Sequence, residues 1–386
     1  MLRFNRSFSI LVLAALFAAC AGPAAAPTAT PVQPTVTPVP PTPTLVPSTA
    51  IPTSPAATLA PPSPESTGRV EIKKGEITSQ ALAGNLLGDP ATRNFYVLLP
   101  PSYNTSDKLY PVVYVLHWYT GQYRSMVGSV KDPYETALRE GDVQEMIFVF
   151  PDAYNKLAGS LYLSSPTIGD YETYITRELV DTIDANYRTI KHRDSRGITG
   201  CSMGGDGSIY LALKYPDVFS VAAPFSATYD WARDPTWQRA VEKIDKLPKD
   251  FDEIGILGWE GEMFYAAAAA TASNPDKPPF YFDTPFAIVD GTTQIVPEVA
   301  DKINAADPVH ELGRYLDQPV QLRAIMIYHS DNDSIAPVEL ARDFDKQLTD
   351  LGVEHEYLEV PGTHCGPSYD PVVKFMSDHL VGEEQP

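Results

Sequence analysis

The chain has 386 residues, of which 44% are hydrophobic and 10% are aromatic, so one large α/β domain with a substantial core can account for most of its length. Acidic residues outnumber basic residues by 49 to 29, which gives a formal net charge of −20. This balance argues against nucleic acid as a partner, because phosphate binding requires a basic surface.

The first 20 residues are predicted to be an export signal of the lipoprotein type. Arg3 and Arg6 precede an apolar stretch that ends at Ala19 and is too short to span a membrane, which takes about 20 apolar residues. The run Leu16-Phe17-Ala18-Ala19-Cys20 resembles a bacterial lipobox. We therefore expect Cys20 to be lipidated and to hold the protein at the extracellular face of the cell membrane by this lipid alone. Ordinary signal cleavage, which releases a secreted protein, is the alternative.

Residues 21–68 are predicted to be an unstructured stalk. From Ala21 to Pro64 there are 14 Pro and 9 Thr in 44 residues, with no charged or aromatic residue, so this segment cannot form a core. At about 3.1 Å per residue in polyproline II, it spans on the order of 130 Å. The stalk is expected to hold the domain of residues 69–386 away from the membrane.

Residues 69–386 are predicted to fold as one α/β domain, because short apolar runs alternate with helical patterns. This alternation is typical of a mostly parallel central sheet with helices on both faces. Strands are predicted at Asn94–Leu99, Val112–His117, Met146–Phe150, Gly197–Gly200, Phe219–Phe225, Leu322–Tyr328 and Glu354–Val360. A strand-like alternation at Val70–Lys74 predicts an antiparallel edge.

Helices are predicted at Tyr171–Tyr187, Met203–Lys214, Pro337–Leu351 and Asp370–His379. Residues 228–319 break the alternation and are interpreted as an insertion of loops and short helices. In this architecture such an insertion usually packs over the site as a cap. The alternative is a surface elaboration remote from the chemistry.

The segment Gly200-Cys201-Ser202-Met203-Gly204 matches G-x-S-x-G, the nucleophile elbow, in which the serine occupies a strained turn from strand to helix. The pattern alone is weak, but here a predicted strand precedes it and a predicted helix follows it. Ser202 is therefore the predicted nucleophile. Its hydroxyl needs an adjacent base, and that base needs an orienting carboxylate.

The base and the acid are predicted from chain order. His364 lies in a tight loop directly after the last predicted strand, where this order places the histidine. Asp331 and Asp333 both lie just past the penultimate strand, where the acid belongs. No cluster of His, Cys and carboxylate residues has the spacing of metal ligands, so neither a metal nor another cofactor is expected.

Two backbone N–H groups must stabilise the developing oxyanion. Met203, the residue after the nucleophile, supplies the first. The loop His117-Trp118-Tyr119-Thr120-Gly121 follows an early strand and is the candidate for the second. His117 is expected to shape this loop by hydrogen bonding rather than to transfer protons.

The most specific pattern in the chain consists of Ser165-Pro166, Gly169, Glu172-Thr173-Tyr174, Glu178-Leu179, Ile183-Asp184, Tyr187-Arg188, Gly200–Gly205 and Tyr215–Phe219. With these residues, most of Val70–Leu380 resembles the esterase D-like family of α/β-hydrolases. That family includes S-formylglutathione hydrolase, feruloyl and acetyl xylan esterases, enterochelin esterase and the mycolyltransferases.

The resemblance implies the α/β-hydrolase fold and a triad of Ser202, Asp333 and His364. The family's turn before the acid usually reads G-x-x-D, and laying this pattern on Ser330-Asp331-Asn332-Asp333 puts the acid at Asp333. The Tyr119 amide is implied as the second oxyanion donor. Trp118 stands where the family's oxyanion loop usually has Gly.

The implied function is that of a secreted or surface-tethered serine carboxylesterase, which hydrolyses small-molecule or polysaccharide-linked esters through an acyl-enzyme on Ser202. An acyltransferase that uses the same triad is the alternative among enzymes. A non-catalytic surface binding module that has kept the fold is the alternative of another class.

Cys201 and Cys365 are sequence neighbours of the predicted nucleophile and base. A disulfide between them is conceivable in an exported protein. We expect two buried free thiols instead, because a bridge between the elbow and the histidine loop constrains the geometry that catalysis depends on.

Overall fold

A computed structural model describes residues 69–383 of the chain. The predicted export signal, Cys20 and the stalk of residues 21–68 lie outside the described residues. None of the helices between residues 69 and 383 has the length and apolarity that crossing a bilayer requires.

The strands are β1 (Glu71–Thr78), β2 (Thr92–Leu99), β3 (Val112–Leu116), β4 (Ile147–Pro151), β5 (Ser164–Ser165), β6 (Gly169–Asp170), β7 (Arg196–Cys201), β8 (Val221–Phe225), β9 (Phe286–Val289), β10 (Thr292–Ile295), β11 (Ala324–Ser330) and β12 (Glu356–Val360). The α-helices are α1 (Val127–Glu140), α2 (Tyr171–Thr173), α3 (Leu179–Asn186), α4 (Met203–Lys214), α5 (Thr236–Lys243), α6 (Gly258–Thr271), α7 (Pro297–Asn304), α8 (Pro308–Tyr315), α9 (Val338–Asp350) and α10 (Asp370–His379). A π-helical segment, Tyr174–Glu178, joins α2 to α3 without a break.

The central sheet has eight strands in the order β1-β2-β4-β3-β7-β8-β11-β12. The β1–β2 and β2–β4 pairs are antiparallel, and the other pairs are parallel. The predicted mostly parallel sheet and its antiparallel edge are therefore confirmed, with the edge strand extended to Thr78. This order is that of an α/β-hydrolase fold.

Helices cover both faces of the sheet because its central strands are apolar on both sides. Along β3, Val113 and Val115 face the layer that contains α1 and α10, whereas Tyr114 and Leu116 face the opposite layer with α3, α4 and α9. All four side chains are essentially inaccessible to solvent. The central strands are thus held rigidly, and their carboxyl ends form a stable platform for loops.

The insertion of residues 228–319 joins β8 to β11. It contains the helices α5 to α8, in agreement with the predicted short helices. It also contains a hairpin of β9 and β10, which the interpretation as loops and short helices did not include. Asp290 and Gly291 form the hairpin turn, and both have positive φ angles, of 50° and 77°. Such turns favour Asp-Gly because the glycine accepts a positive φ without strain.

Candidate active site

Ser202 lies between the end of β7 and the start of α4. Its backbone has φ 59° and ψ −124°, a conformation that residues with a side chain rarely adopt. The Ser202 N–H donates to the carbonyl oxygen of Phe225 at 3.0 Å, which ties the turn to β8. Ser202 is partly exposed, whereas Cys201 and Met203 on either side are buried. The turn therefore presents the hydroxyl to solvent from a rigid support.

Close backbone packing explains the two glycines of the elbow. A Cβ atom on Gly200 would lie 2.5 Å from the carbonyl oxygen of Gly204. A Cβ atom on Gly204 would collide with the carbonyl oxygen of Leu116 in β3. Backbone atoms cannot move aside as the end of a side chain can, so both positions require glycine.

Asp333 and His364 form a hydrogen-bonded pair. Nδ1 of His364 lies 2.9 Å from Oδ1 and 2.8 Å from Oδ2 of Asp333. The Asp333 carboxylate also accepts the N–H groups of Ile335 and Ala336, each at 2.9 Å. Burial raises the pKa of Asp333, but the contact with His364 and the two N–H donors outweigh burial and hold it below the usual 3.8. The carboxylate is thus ionised and aimed at Nδ1.

Asp331, the other candidate acid, has a different partner. Its Oδ1 accepts the Gly362 N–H at 3.0 Å, and the residue is exposed. Asp331 therefore braces the histidine loop and does not contact the imidazole. This geometry agrees with the assignment of the acid to Asp333.

The loop after β3 makes a tight turn. The Gly121 N–H donates to the Trp118 carbonyl at 2.9 Å, and Thr120 has φ 70°, as at the third position of a type II turn. Within residues 69–383, neither the Tyr119 nor the Met203 N–H donates to a protein acceptor. With Trp118 in place of glycine, the loop therefore still forms a turn in which the Tyr119 N–H can donate a hydrogen bond to a ligand.

His117 holds this loop in place. Its Nε2 accepts the Ala153 N–H at 2.9 Å, so Nδ1 carries the proton and donates to the Trp118 carbonyl at 2.8 Å. Burial lowers the pKa of His117 to about 4, which keeps the imidazole neutral. Its predicted hydrogen-bonding role is confirmed.

Two pockets share Ser202 in their lining. The inner pocket has an empty volume of about 530 Å³ and lies against Trp231, Phe264 and Ile303 of the insertion. The outer pocket has an empty volume of about 1020 Å³, partly open to solvent, and places Trp118, Trp259, Met263 and His364 around the serine. The insertion therefore covers the site as a cap, and the alternative of a remote surface elaboration is wrong.

Asp206 is a pocket residue that sequence reasoning missed. It lies one helical turn after Ser202, and its Oδ1 accepts the N–H groups of Thr228 and Tyr229 at 3.0 Å each. Burial raises the pKa of Asp206 to about 7. A signal was present, because this aspartate sits in a helix whose neighbouring residues are all small or apolar. Asp206 ties α4 to the start of the insertion.

The expectation of free thiols is wrong, because Cys201 and Cys365 form a disulfide with their Cα atoms 6.0 Å apart. This separation lies within the usual range of about 4.4 to 6.8 Å. The backbones of the elbow and of the histidine loop already approach each other this closely, so the bridge needs no rearrangement of either one.

The sheet order and the strained strand-to-helix turn at Ser202 define the fold of this protein as an α/β-hydrolase fold. The Esterase family model ("Putative esterase") matches residues 90–259. Esterase Rv1288 of Mycobacterium tuberculosis is similar, with 28% identity over 279 residues that cover 69% of this chain and 51% of that protein. The chain thus spans about half the length of the first curated relatives it matches.

Solved structures show the same fold. A ferulic acid esterase aligns with 80% of this chain and 98% of its own, with a TM-score of 0.55 and 19% identity. The S-formylglutathione hydrolase of Staphylococcus aureus aligns with 79% of this chain and 96% of its own, with a TM-score of 0.51 and 20% identity. The chain is thus similar to esterases in sequence and shares the α/β-hydrolase fold with them.

Proposed function

We propose that the domain is a serine carboxylesterase, with Ser202 as nucleophile, His364 as general base and Asp333 as the orienting acid. The observation that carries the proposal is the shared pocket. Ser202 sits on a strained turn beside a His364 whose Nδ1 is hydrogen-bonded to a buried carboxylate. Each of these features is costly to build and has a purpose in acyl transfer.

The chemistry follows from the tautomer of the base. Because Nδ1–H of His364 donates to Asp333, Nε2 carries a lone pair that accepts the Ser202 proton during attack on an ester carbonyl. The Met203 and Tyr119 N–H groups are the proposed donors to the oxyanion. His364 then protonates the leaving alcohol, and water releases the acid from the acyl-enzyme. The proposed reaction uses no metal and no other cofactor.

The test uses p-nitrophenyl acetate and a fluorophosphonate probe on the wild type, Ser202→Ala and Ser334→Ala. Ser334 is an exposed serine that follows Asp333 and provides the matched control. We expect a burst of p-nitrophenol and covalent labelling in the wild type and in Ser334→Ala, and neither signal in a folded Ser202→Ala. Retained labelling in Ser202→Ala would place the nucleophile elsewhere and overturn the proposal.

The proposed location is the extracellular face of the cell membrane, with secretion as the alternative. Support comes from the lipobox-like run that ends at Cys20 and from the disulfide, which is typical of oxidising compartments. Cys20→Ser should shift the protein from the membrane fraction to the soluble fraction. Membrane association that persists in this variant argues against a lipid anchor on Cys20.

The proposed substrates are small-molecule or polysaccharide-linked esters. Support comes from the outer pocket, where the aromatic side chains of Trp118, Tyr119 and Trp259 offer flat apolar surfaces beside the serine. A panel of short acyl, cinnamoyl and acetyl-sugar esters, compared by kcat/KM, ranks these classes. Values of kcat/KM for the cinnamoyl and acetyl-sugar esters that do not exceed the value for p-nitrophenyl acetate contradict the proposed pocket role.

A further inference from the structure

We propose that the disulfide between Cys201 and Cys365 is a positioning device that sets the distance between Ser202 and His364. The inference rests on the proposed function, because it assigns a role within the same acyl-transfer site. Cys201 immediately precedes Ser202, and Cys365 immediately follows His364. The bond joins residues that are 164 positions apart in sequence, so it links two otherwise separate segments of the site.

The sheet order creates the need for such a link. Ser202 follows β7 in the middle of the sheet, whereas His364 follows β12 at its edge, and β8 and β11 lie between them. Neighbouring strands are about 4.8 Å apart, so β7 and β12 are separated by roughly 14 Å. The histidine loop must therefore reach back across the ends of two strands to meet the serine.

The loop's first half is anchored to the end of β11 by hydrogen bonds. Ser330 Oγ donates to the Thr363 carbonyl at 2.9 Å, the Gly362 N–H donates to Asp331 at 3.0 Å, and the Asn332 N–H donates to the Gly362 carbonyl at 3.1 Å. All of these contacts precede His364 in the chain and lead to the segment that carries the acid. They fix the imidazole relative to its carboxylate, and they reach the nucleophile only indirectly, through the pairing of β11 with β8.

The disulfide is the covalent connection between the loop's second half and the nucleophile side, where the Tyr369 ring also packs against Phe225. The Cys365 N–H donates to Ser226 Oγ at 3.4 Å, a distance at which a hydrogen bond is weak. Cys365 has φ 53°, so the chain turns sharply right after the base. Cys201 is fully buried at the end of a central strand. The bond thus couples the segment that carries the base to a buried central strand of the sheet.

The expected effect is on turnover rather than on substrate affinity. A misplacement of about 1 Å between reacting groups lowers turnover by about 10²-fold. We therefore expect the double variant Cys201→Ala/Cys365→Ala to lose about 10- to 100-fold in kcat while KM stays within about threefold. KM should change little because the aromatic residues that line the outer pocket, Trp118, Tyr119 and Trp259, lie outside the two segments that the disulfide joins.

The experiment compares three full-length proteins well below their unfolding temperatures: the wild type, the double cysteine variant and Leu348→Ala. Leu348 is buried on α9 and contributes no atom to either pocket, so its truncation lowers stability without touching the site. We expect Leu348→Ala to keep its kcat despite a lower transition temperature. The same loss of stability without loss of kcat in the double variant would assign the disulfide a structural role only and overturn the inference.

Reduction of the wild type provides a second measurement that does not depend on the variant folding. Dithiothreitol supplies two electrons and two protons, so the S–S bond is replaced by two S–H bonds while the reagent closes to its cyclic disulfide. We expect kcat to fall on reduction and to recover on reoxidation, with unchanged far-ultraviolet circular dichroism. The double variant should not respond to the reagent.

The outcomes separate this inference from the proposed function. A wild type that is neither labelled nor active overturns both. Two results overturn the inference alone. In the first, an active wild type keeps its kcat although alkylation has shown that both thiols are reduced. In the second, a folded double variant has a kcat within threefold of the wild type.

Discussion

Replacing Asp333 with Asn tests the acid with little change in shape. In the wild type the carboxylate accepts Nδ1–H of His364 together with the N–H groups of Ile335 and Ala336. The Asn carbonyl can still accept the two backbone donors. Its NH₂ group then faces Nδ1, so the imidazole takes the tautomer with the proton on Nε2. That nitrogen can no longer accept the Ser202 proton.

The expected loss in kcat is up to about 10⁴-fold, which corresponds to about 5 kcal/mol of transition-state stabilisation. Stability should also change, with a defined pH dependence. Because the folded-state pKa of Asp333 lies below 3.8, its ionised form stabilises the fold above about pH 4, and this contribution is lost as the pH falls through the folded-state pKa. The stability difference between wild type and Asp333→Asn should therefore shrink in acid.

Asp331→Asn is the matched control, since it makes the same chemical change two residues away. The amide carbonyl of the new side chain can accept the Gly362 N–H as the carboxylate does, so kcat should stay within about threefold and stability should fall by no more than about 1 kcal/mol. Both variants are compared with p-nitrophenyl acetate after circular dichroism has shown that they are folded. An inactive Asp331→Asn beside a nearly normal Asp333→Asn would refute the assignment of the acid.

Three further predictions concern the scaffold. Burial raises the pKa of Asp206 to about 7, so ionisation of this carboxyl destabilises the fold as the pH rises from about 4 to 8. Asp206→Asn should remove this pH dependence. In urea unfolding, the stability of the variant relative to wild type should therefore be about 1 to 4 kcal/mol greater at pH 8 than at pH 5. Gly204→Ala should cost about 3 kcal/mol or prevent folding because of the contact with Leu116. Gly128 lies at an exposed position of helix α1 where an added Cβ meets no atom within 4 Å, so Gly128→Ala should gain about 0.5 kcal/mol in thermal unfolding. Deletion of residues 1–64 should leave a folded, active protein, and an unfolded circular dichroism spectrum would contradict the stalk interpretation.

The strands were predictable because parallel strands buried on both faces appear as short apolar runs. β3 and β4, with the sequences VVYVL and IFVFP, illustrate this, and their predicted limits differ from the observed ones by a residue. The elbow was predictable for a similar reason. Its glycines are imposed by backbone contacts that no other residue satisfies, so the local sequence carries the constraint.

The helix α1 was missed because its own sequence gives little signal. It contains Gly128 and Pro133, and its buried residues are Val127, Val130 and Tyr134. Its stability comes from packing beside α10 on one face of the sheet, a contact between segments more than 200 residues apart. Tertiary contacts of this kind override weak local propensity and cannot be inferred from one segment.

The cysteine pair shows how a correct premise led to a wrong expectation. A bridge between the elbow and the histidine loop does constrain the geometry of the site, and the expectation of free thiols assumes that this constraint opposes catalysis. Acyl transfer instead requires reacting groups that are held in place before the substrate arrives. Ser202 already lies on a strained turn and His364 is already fixed to a buried carboxylate, so neither group needs freedom relative to the other. In the proposed mechanism, a covalent tie between their sequence neighbours therefore restricts the distance between nucleophile and base, which acyl transfer requires to be fixed.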